Sequence, residues 1–216
     1  LDHCLENKID FLYASSAAVY GNGDNGFDEE PNAENPLNVY GFSKFAFDNY
    51  VRRALHDAKN QILGLRYFNV YGPQENHKGR MASVPFHLFN QLNDSAKMRL
   101  FEGSEKFLRD FIHVADVIKI NMHFYQTKSS GIFNAGTGKA RSFTDIARTI
   151  QNKHGSGEIE NIPFPEDLRD KYQKFTEAKL DNLRAAGYSK NFMSLEEGLE
   201  QYYDQLSASN GFYIQS

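Results

Sequence analysis

Short apolar runs alternate with longer amphipathic segments along this chain of 216 residues, and this alternation constrains the fold more than any other feature. The apolar runs predict strands at residues 9–14, 61–68, 98–101, 110–112, 131–134 and 158–162. Apolar side chains at helical spacing predict helices at residues 1–7, 38–56, 82–93, 114–126 and 142–154. Strands that alternate with helices favour a parallel sheet, so we expect an α/β protein.

Capping residues and turn residues indicate where these segments begin and end. Ser142 is expected to cap the helix that ends near residue 154, and Thr176 is expected to cap a further short helix. The run Ser194-Leu195-Glu196-Glu197 matches a capping box and predicts the start of the last helix. Residues 15–36 and 69–80 are polar and contain glycine, and both are predicted to be loops.

Charge and cysteine content exclude several classes of function. The 24 basic and 28 acidic side chains give a balance that does not favour binding to nucleic acid. No apolar run approaches the roughly 18 residues that a membrane span needs, and the histidines lack the paired spacing of a zinc site. Cys4 is the single cysteine, so a reducing compartment, the cytoplasm, is the expected location.

Tyr40 and Lys44 are the first pair whose spacing suggests chemistry. They lie four positions apart in a predicted helix, so their side chains share one face. A free tyrosine has a pKa of roughly 10 and is a poor base at neutral pH, but a nearby ammonium group favours the phenolate. A Tyr-x-x-x-Lys spacing is by itself more often a surface pair, so its context must decide.

Ser16 supplies that context, because it follows a predicted strand and precedes the helix of Tyr40 and Lys44. Ligands of open parallel sheets bind at the carboxyl ends of strands. Strand, serine, polar loop and Tyr-x-x-x-Lys helix in this order resemble the extended short-chain dehydrogenase/reductase family, which acts on nucleotide sugars with a nicotinamide cofactor. Residues 66–73, Arg-Tyr-Phe-Asn-Val-Tyr-Gly-Pro, resemble the next motif of that family. The resemblance implies the C-terminal part of a Rossmann-like, doubly wound parallel sheet plus a small α/β substrate-binding lobe.

Further motifs resemble the branch of this family that inverts C6 of the heptose in an ADP-sugar. Dehydratases of the family carry an Asp-Glu pair directly after the serine, whereas this chain has Ala17 and Ala18, which argues against dehydration. The loop before the third long helix supplies Lys78, and residues 101–104 followed by Arg109 resemble a substrate-phosphate site. The resemblance covers nearly the whole chain and implies an isomerase that supplies heptose for the lipopolysaccharide core.

The resemblance also implies roles for single residues. Tyr40 and Lys78 would be the acid and base on opposite sides of the reacting carbon, and Ser16 would hold the substrate hydroxyl. Lys44 would bind the cofactor ribose and tune Tyr40. The implied cofactor contacts are Tyr40, Lys44, Val70 and Lys78. The implied substrate contacts are Ser16, Asn69, Arg80, His87, Phe101, Glu102, Gly103, Ser104, Arg109 and Tyr172. Arg80 departs from the small residue that the family is expected to carry there.

The implied cofactor is NADP, with NAD as the alternative. No Gly-x-Gly-x-x-Gly run follows a strand and opens a helix, so this chain by itself is expected to bind the cofactor weakly and to be inactive. A helix that leads directly into a strand at the start is typical of the middle of an α/β domain, so we expect a preceding segment. Residues 1–75 with 105–140 are expected to form the cofactor-binding part, and residues 76–104 with 141–216 the substrate-binding lobe.

Partners and competing functions follow from the same resemblance. It implies an ADP-heptose substrate and a homo-oligomer, by resemblance a pentamer. A UDP-hexose 4-epimerase of the same family is an alternative, and it would need Tyr40 and Lys44 but not Lys78. A catalytically silent chain that binds a nucleotide sugar is the other alternative.

Overall fold

The computed structural model describes residues 1–166 and 173–209 of the chain. Within these ranges the helices are α1 (Asp2–Asn7), α2 (Val39–Leu55), α3 (Val84–Ser95), α4 (Val114–Thr127), α5 (Phe143–His154), α6 (Asp181–Ala185) and α7 (Leu195–Ser209). The strands are β1 (Phe11–Ser16), β2 (Ile62–Tyr67), β3 (Asn69–Tyr71), β4 (Lys97–Phe101), β5 (Leu108–His113), β6 (Gly131–Ala135), β7 (Ala140–Ser142) and β8 (Glu158–Ile162). The α/β class is confirmed.

Most strand pairs are parallel, as the alternation predicts. Strand β2 lies between β1 and β6 and is parallel to both. Strands β4 and β8 form a second parallel pair. Strand β5 is parallel to β3 and antiparallel to β7, so the third sheet is mixed. A parallel connection needs a crossover, and helix α2 supplies it between β1 and β2.

The hydrophobic core has two main parts. One part packs α4 against β2 and β6 and buries Leu63, Leu65 and Phe124 almost completely. The other part packs α3, α5 and α7 against β4 and includes the fully buried Met98 and Ile146. Burial of one such side chain is worth about 1.5–3 kcal/mol relative to exposure, so these faces hold the helices on their sheets.

A buried polar network fixes α2 on the first sheet. The Asp48 carboxylate of α2 accepts hydrogen bonds from the hydroxyls of Tyr13 (2.8 Å) and Ser15 (2.9 Å) on β1. It also accepts one from Arg66 Nε of β2 at 2.9 Å. Asp48 and Arg66 are completely buried, and charges at such depth persist only when they are paired. The network therefore fixes the position of α2 relative to β1 and β2.

The predicted helix caps at Ser142 and Ser194 are confirmed. The Ser142 hydroxyl accepts from Asp145 N at 3.0 Å, and the Asp145 carboxylate accepts from Ser142 N at 3.0 Å. The Ser194 hydroxyl accepts from Glu197 N at 3.2 Å, and the Glu197 carboxylate accepts from Ser194 N at 2.9 Å. Each pair satisfies two amides that a helix start leaves without an intrahelical partner.

The cap predicted at Thr176 is wrong. Helix α6 begins only at Asp181, and Thr176 belongs to an extended segment that runs beside β5. Its amide donates to Leu108 O at 3.1 Å, and its hydroxyl accepts from Asp110 N at 3.2 Å. A threonine before a polar run is compatible with a helix cap and also with a strand-like segment. At Thr176 the contact with β5 favours the strand-like conformation.

Two other predictions need correction. The first strand begins at residue 11 rather than 9 and is only half-buried, because among the described strands β1 pairs with β2 alone. Residues 69–80 are not simply a loop, since they contain β3 and most of a short 3-10 segment, Asn76–Met81. The bounds of β1 and the presence of β3 depend on pairing with distant strands, which a local pattern does not reveal.

Candidate active site

Three strand ends meet at one edge of the first sheet. Ser16, the last residue of β1, lies in register with Tyr67, the last residue of β2. Tyr67 in turn pairs with Ala135, the last residue of β6. Ser16 and the segment that follows β2, which begins at Phe68 and Asn69, therefore lie at the same edge. This is the edge at which open parallel sheets bind ligands.

Ser16 caps a short turn directly after β1. Its side-chain oxygen accepts a hydrogen bond from Ala18 N at 3.1 Å and so opens a 3-10 turn, Ala17–Tyr20. This bond uses Ser16 Oγ as an acceptor, so the hydroxyl hydrogen is left to be donated elsewhere. The structure thus gives Ser16 the donor that a substrate hydroxyl or carbonyl oxygen would need.

Gly41 allows the first turn of α2 to lie against this 3-10 turn. Asn38 caps α2 through a bond from Gly41 N to Asn38 Oδ1 at 2.8 Å. A Cβ atom at position 41 would lie only 2.7 Å from the carbonyl oxygen of Ala18 and 3.2 Å from Pro36 Cβ. Because glycine lacks this atom, the turn that carries Tyr40 can approach the residues that follow Ser16.

Tyr40 and Lys44 share one face of α2, as the spacing predicts. Lys44 Nζ lies 5.7 Å from the centroid of the Tyr40 ring, within the range of a cation–π contact. The same ammonium donates to Ala14 O at 2.9 Å, which anchors it on β1. Tyr40 is 57% exposed, so its phenol is accessible to a ligand. The structure provides the cation beside the phenol on which proton transfer by Tyr40 would depend.

A cavity of about 300 Å³ lies beyond the end of β2 and contains three of the predicted site residues, Asn69, Val70 and Lys78. Its other walls come from Phe68, Tyr71, Glu75, Met81, Ala82, Ser83, Val84 and Phe111. We call it the lysine cavity. Ser16 and Tyr40 are not among its lining residues, so this cavity does not bring Tyr40 and Lys78 together.

The loop that carries Lys78 consists of two short 3-10 turns separated by a kink at Gly79. Gly79 adopts φ 53° and ψ −128°, a backbone conformation that residues with a Cβ atom rarely adopt. Lys78 Nζ lies 3.8 Å from Glu75 Oε2, and the lysine side chain is 45% exposed. Arg80 is exposed on this segment and lines none of the cavities described here, so its predicted contact with substrate gains no support.

A second cavity, of about 340 Å³, contains three more predicted site residues, His87, Phe101 and Ser104. We call it the aromatic cavity. Its other walls come from Val84, Leu88, Gln91, Arg99, Leu100, Phe107, Phe143 and Ile162. The sequence interpretation missed Arg99 and Gln91, although the alternation of β4 indicates that Arg99 leaves the core. Gln91 accepts from Arg99 N at 2.8 Å and so positions this strand.

The remaining predicted contacts lie around the aromatic cavity or outside the described residues. Arg109 is buried, and its guanidinium carbon lies 5.8 Å from the centroid of Phe143, a residue of the cavity wall. Glu102 is exposed and Gly103 half-buried on the turn after β4. Tyr172 lies outside the described residues.

Glu75 is a further residue that the sequence did not single out. Glu75 lines the lysine cavity but is only 2% exposed, and its carboxylate accepts a hydrogen bond from the Tyr202 hydroxyl at 2.8 Å. Burial raises the pKa of Tyr202, and the neighbouring Glu75 carboxylate adds to the shift. A glutamate in a polar loop gives no sign of burial, so only the fold identifies this contact.

The largest of the described cavities, about 560 Å³, lies elsewhere and contains none of the predicted site residues. Its walls include Arg141 and Glu196, which are paired with each other at 2.5 Å. In the described ranges, no cluster of three or more His, Cys, Asp or Glu side chains offers a metal site. No helix within residues 1–166 or 173–209 has both the length and the apolar character to cross a membrane.

Comparisons with known proteins bear on this site. The model of the NAD dependent epimerase/dehydratase family matches residues 1–136. An ADP-L-glycero-D-manno-heptose-6-epimerase of Brachyspira hyodysenteriae is 56% identical over 214 residues, which is 98% of this chain and 67% of that protein. The crystal structure of the Helicobacter pylori ADP-L-glycero-D-manno-heptose-6-epimerase matches with a TM-score of 0.84 and 33% identity, over 96% of this chain and 63% of that one. The chain thus spans about two thirds of the length of both relatives.

The fold agrees with a wider group of structures. A UDP-N-acetylglucosamine 4-epimerase from Methanobrevibacter ruminantium matches with a TM-score of 0.82 at 23% identity, over 95% of this chain. At this identity the likeness concerns the fold alone.

Proposed function

Because the chain belongs to the NAD dependent epimerase/dehydratase family, we propose that it carries the acid and base groups of an epimerase that inverts C6 of the heptose in an ADP-sugar. One observation supports this most directly. Asn69, Val70 and Lys78, which the resemblance assigns to substrate and cofactor, line one cavity at the sheet edge where Ser16 ends β1. The 56% identity to the Brachyspira hyodysenteriae enzyme supports the same substrate.

Tyr40 is the proposed acid and base on one side of the sugar carbon. In one direction its phenolate takes the proton of the sugar alcohol as the carbonyl forms, and in the reverse direction the phenol returns that proton as the alcohol is restored. Lys44 Nζ lies 5.7 Å from the centroid of the Tyr40 ring and places a positive charge beside it. Ser16 donates its free hydroxyl hydrogen to the sugar oxygen and holds it near Tyr40.

Lys78 is the proposed acid and base on the opposite side. Inversion restores the alcohol on the other face of the carbonyl, so its oxygen must receive a proton from a second direction. The Lys78 side chain lines the lysine cavity and is 45% exposed, so its ammonium is accessible to a ligand there.

The family depends on a nicotinamide cofactor, which when bound accepts a hydride from the sugar carbon and returns it to the other face. The groups in this chain fit its nicotinamide and ribose part, since Lys44 and the Tyr40 hydroxyl both offer hydrogen bonds at the sheet edge. Val70 would contact it from β3, which follows β2 directly. We assign NADP rather than NAD on the resemblance alone.

The aromatic cavity is the proposed site of the nucleotide part of the substrate. Phe101 and Phe107 offer flat apolar walls to a base, while His87 and Ser104 offer polar atoms. The buried Arg109 guanidinium has the planar donor arrangement that suits a diphosphate. Residues 1–75 with 105–140 would then serve the cofactor, and residues 76–104 with 141–216 the substrate. We further assign a cytoplasmic homo-oligomer, a pentamer by resemblance, that supplies heptose to lipopolysaccharide.

The experiment is to supply the chain with NADP at saturating concentration, which compensates for the weak cofactor binding expected of it, and with either epimer of the ADP-heptose. Inversion at C6 is followed by proton NMR. Tyr40→Phe and Lys78→Ala should each reduce the rate by about 10²–10⁴-fold, the usual contribution of a general acid or base. Arg148→Gln, on the exposed side of α5, is the matched control and should leave the rate unchanged.

Two further outcomes would refute the proposal. Inversion of a UDP-hexose that survives Lys78→Ala would indicate a 4-epimerase. Calorimetric binding of an ADP-sugar without turnover, with NADP bound, would indicate a silent binding protein.

A further inference from the structure

Glu75 is a buried carboxylate to which neither the resemblance nor the proposed function gives a role. Only 2% of the residue is exposed, yet it lies on a loop beside the surface. An unpaired charge at this depth would be costly, so its partners must offset its desolvation. The partners come from three separate segments: its own loop, the start of α3 and the middle of α7.

The first two partners close the loop that carries Lys78. Glu75 Oε2 accepts from Ser83 N at 2.8 Å, and Glu75 Oε1 accepts from the Ser83 hydroxyl at 2.5 Å. One carboxylate thus joins the two ends of the segment from residue 75 to residue 83. Inside this segment, Lys78 N donates to Glu75 O at 2.9 Å and Ala82 N donates to Gly79 O at 3.1 Å. The segment is a closed loop with Lys78 between its tied ends.

The other two partners connect this loop to its surroundings. Glu75 Oε1 also accepts from the Tyr202 hydroxyl at 2.8 Å, which joins the loop to α7. Glu75 Oε2 lies 3.8 Å from Lys78 Nζ, and both residues line the lysine cavity. The same carboxylate therefore fixes the backbone of the loop and attracts the side chain that the loop presents.

We propose that Glu75 is the positioning residue for Lys78, holding its ammonium at the rim of the lysine cavity while tying the loop to α3 and α7. The effect of Glu75 on catalysis rests on the proposed function, whereas its effect on the position of Lys78 does not. Without the carboxylate charge, the lysine side chain would leave the cavity for solvent, where its entropy is larger.

The Glu75→Gln variant separates the charge from the hydrogen bonds. The amide oxygen of the variant can face Ser83 N and Lys78, since both are donors. Its NH₂ group then faces the hydroxyls of Ser83 and Tyr202, which can rotate and become acceptors. The loop is thereby retained while the negative charge near Lys78 is removed. Tyr202→Phe is the converse control, because it removes the tie to α7 and keeps the charge.

The main test uses the chain without substrate or cofactor. Each variant is treated briefly with N-acetoxysuccinimide at one pH, and mass spectrometry measures acetylation of each lysine. Lys97 and Lys119 are internal standards, because their side chains are 45% exposed like that of Lys78 and are also paired with carboxylates. Hydrogen exchange of the loop amides reports on loop closure in the same samples.

We expect Glu75→Gln to increase acetylation of Lys78 about two- to fivefold relative to both standards, the range of a weak ion pair, with loop exchange unchanged. Tyr202→Phe should leave the Lys78 ratio as in the wild type. An unchanged ratio in Glu75→Gln would overturn the positioning role. So would an equal increase in Tyr202→Phe, since general loosening would then explain the labelling.

The catalytic consequence has its own readout. In the epimerase assay, Glu75→Gln should lower kcat while KM stays within about twofold, because Lys78 is displaced but the substrate walls remain. A wild-type chain that binds ADP-heptose and NADP but never inverts the sugar would refute the proposed function, and the acetylation result would still decide the positioning role.

Discussion

Replacement of Gly41 by alanine tests how closely the catalytic helix approaches the strand end. Alanine in place of glycine usually stabilises an exposed helix by up to about 1 kcal/mol. Here the new Cβ would lie 2.7 Å from the Ala18 carbonyl oxygen, which is backbone, and 3.2 Å from the ring of Pro36. Neither neighbour can rotate away, so the first turn of α2 must retreat by several tenths of an ångström.

The cost of such overpacking is about 1–3 kcal/mol, which exceeds the gain in helix propensity. We therefore expect Gly41→Ala to lower the free energy of unfolding by about 1–2 kcal/mol, measured by urea denaturation followed by circular dichroism. Because the displaced turn carries Tyr40, the rate of sugar inversion should fall at least about tenfold.

Ser43→Ala is the matched control for helix propensity, because Ser43 lies on the exposed side of the same helix. It should change the free energy of unfolding by less than about 0.5 kcal/mol. A Gly41→Ala protein as stable as this control, or more stable than the wild type, would refute the close approach and with it the reason for glycine at this position.

Other perturbations test separate parts of the structure. Burial lowers the pKa of His113 from its ordinary 6.5. Just below pH 6.5 the imidazole is therefore protonated more in the unfolded chain than in the folded chain. The free energy of unfolding should therefore fall as the pH drops below about 6.5. His113→Asn can still cap α4, and it should reduce the difference in unfolding free energy between urea titrations at pH 7.5 and 5.5. The same difference in the variant and the wild type would contradict the assignment. Ser194→Ala removes the capping box of α7 and should cost about 1 kcal/mol in thermal unfolding, whereas Gln201→Ala on the exposed side of that helix should cost little.

Local sequence patterns predicted most of the helices and strands. Strand β8 occupies the predicted residues 158–162, and α2 lies within one residue of the predicted 38–56 at each end. The serine caps of α5 and α7 were also predicted, because a cap depends on residues only three positions away. The cap predicted at Thr176 was wrong because the conformation of this residue depends on a distant partner. Asp110, whose amide donates to the Thr176 hydroxyl, is 66 residues away in the chain.

The grouping of site residues was predicted only in part. Tyr40 and Lys44 share a face because the helical period alone requires it. The gathering of His87, Phe101 and Ser104 in one cavity depends on how α3 packs against β4, which no single segment encodes. Arg80 lies on the same loop as Lys78 but does not line the aromatic cavity with His87. A shared loop does not fix the direction of each side chain.

The sequence by itself determined the alternation of strands and helices, the caps and the Tyr-x-x-x-Lys face, since each depends on residues within one or two turns. Only the tertiary structure decided that Glu75 is buried between Ser83 and Tyr202, and that Gly41 touches the backbone of Ala18. Such contacts arise when distant segments pack at atomic density, and the steric fit that decides them is absent from any local pattern.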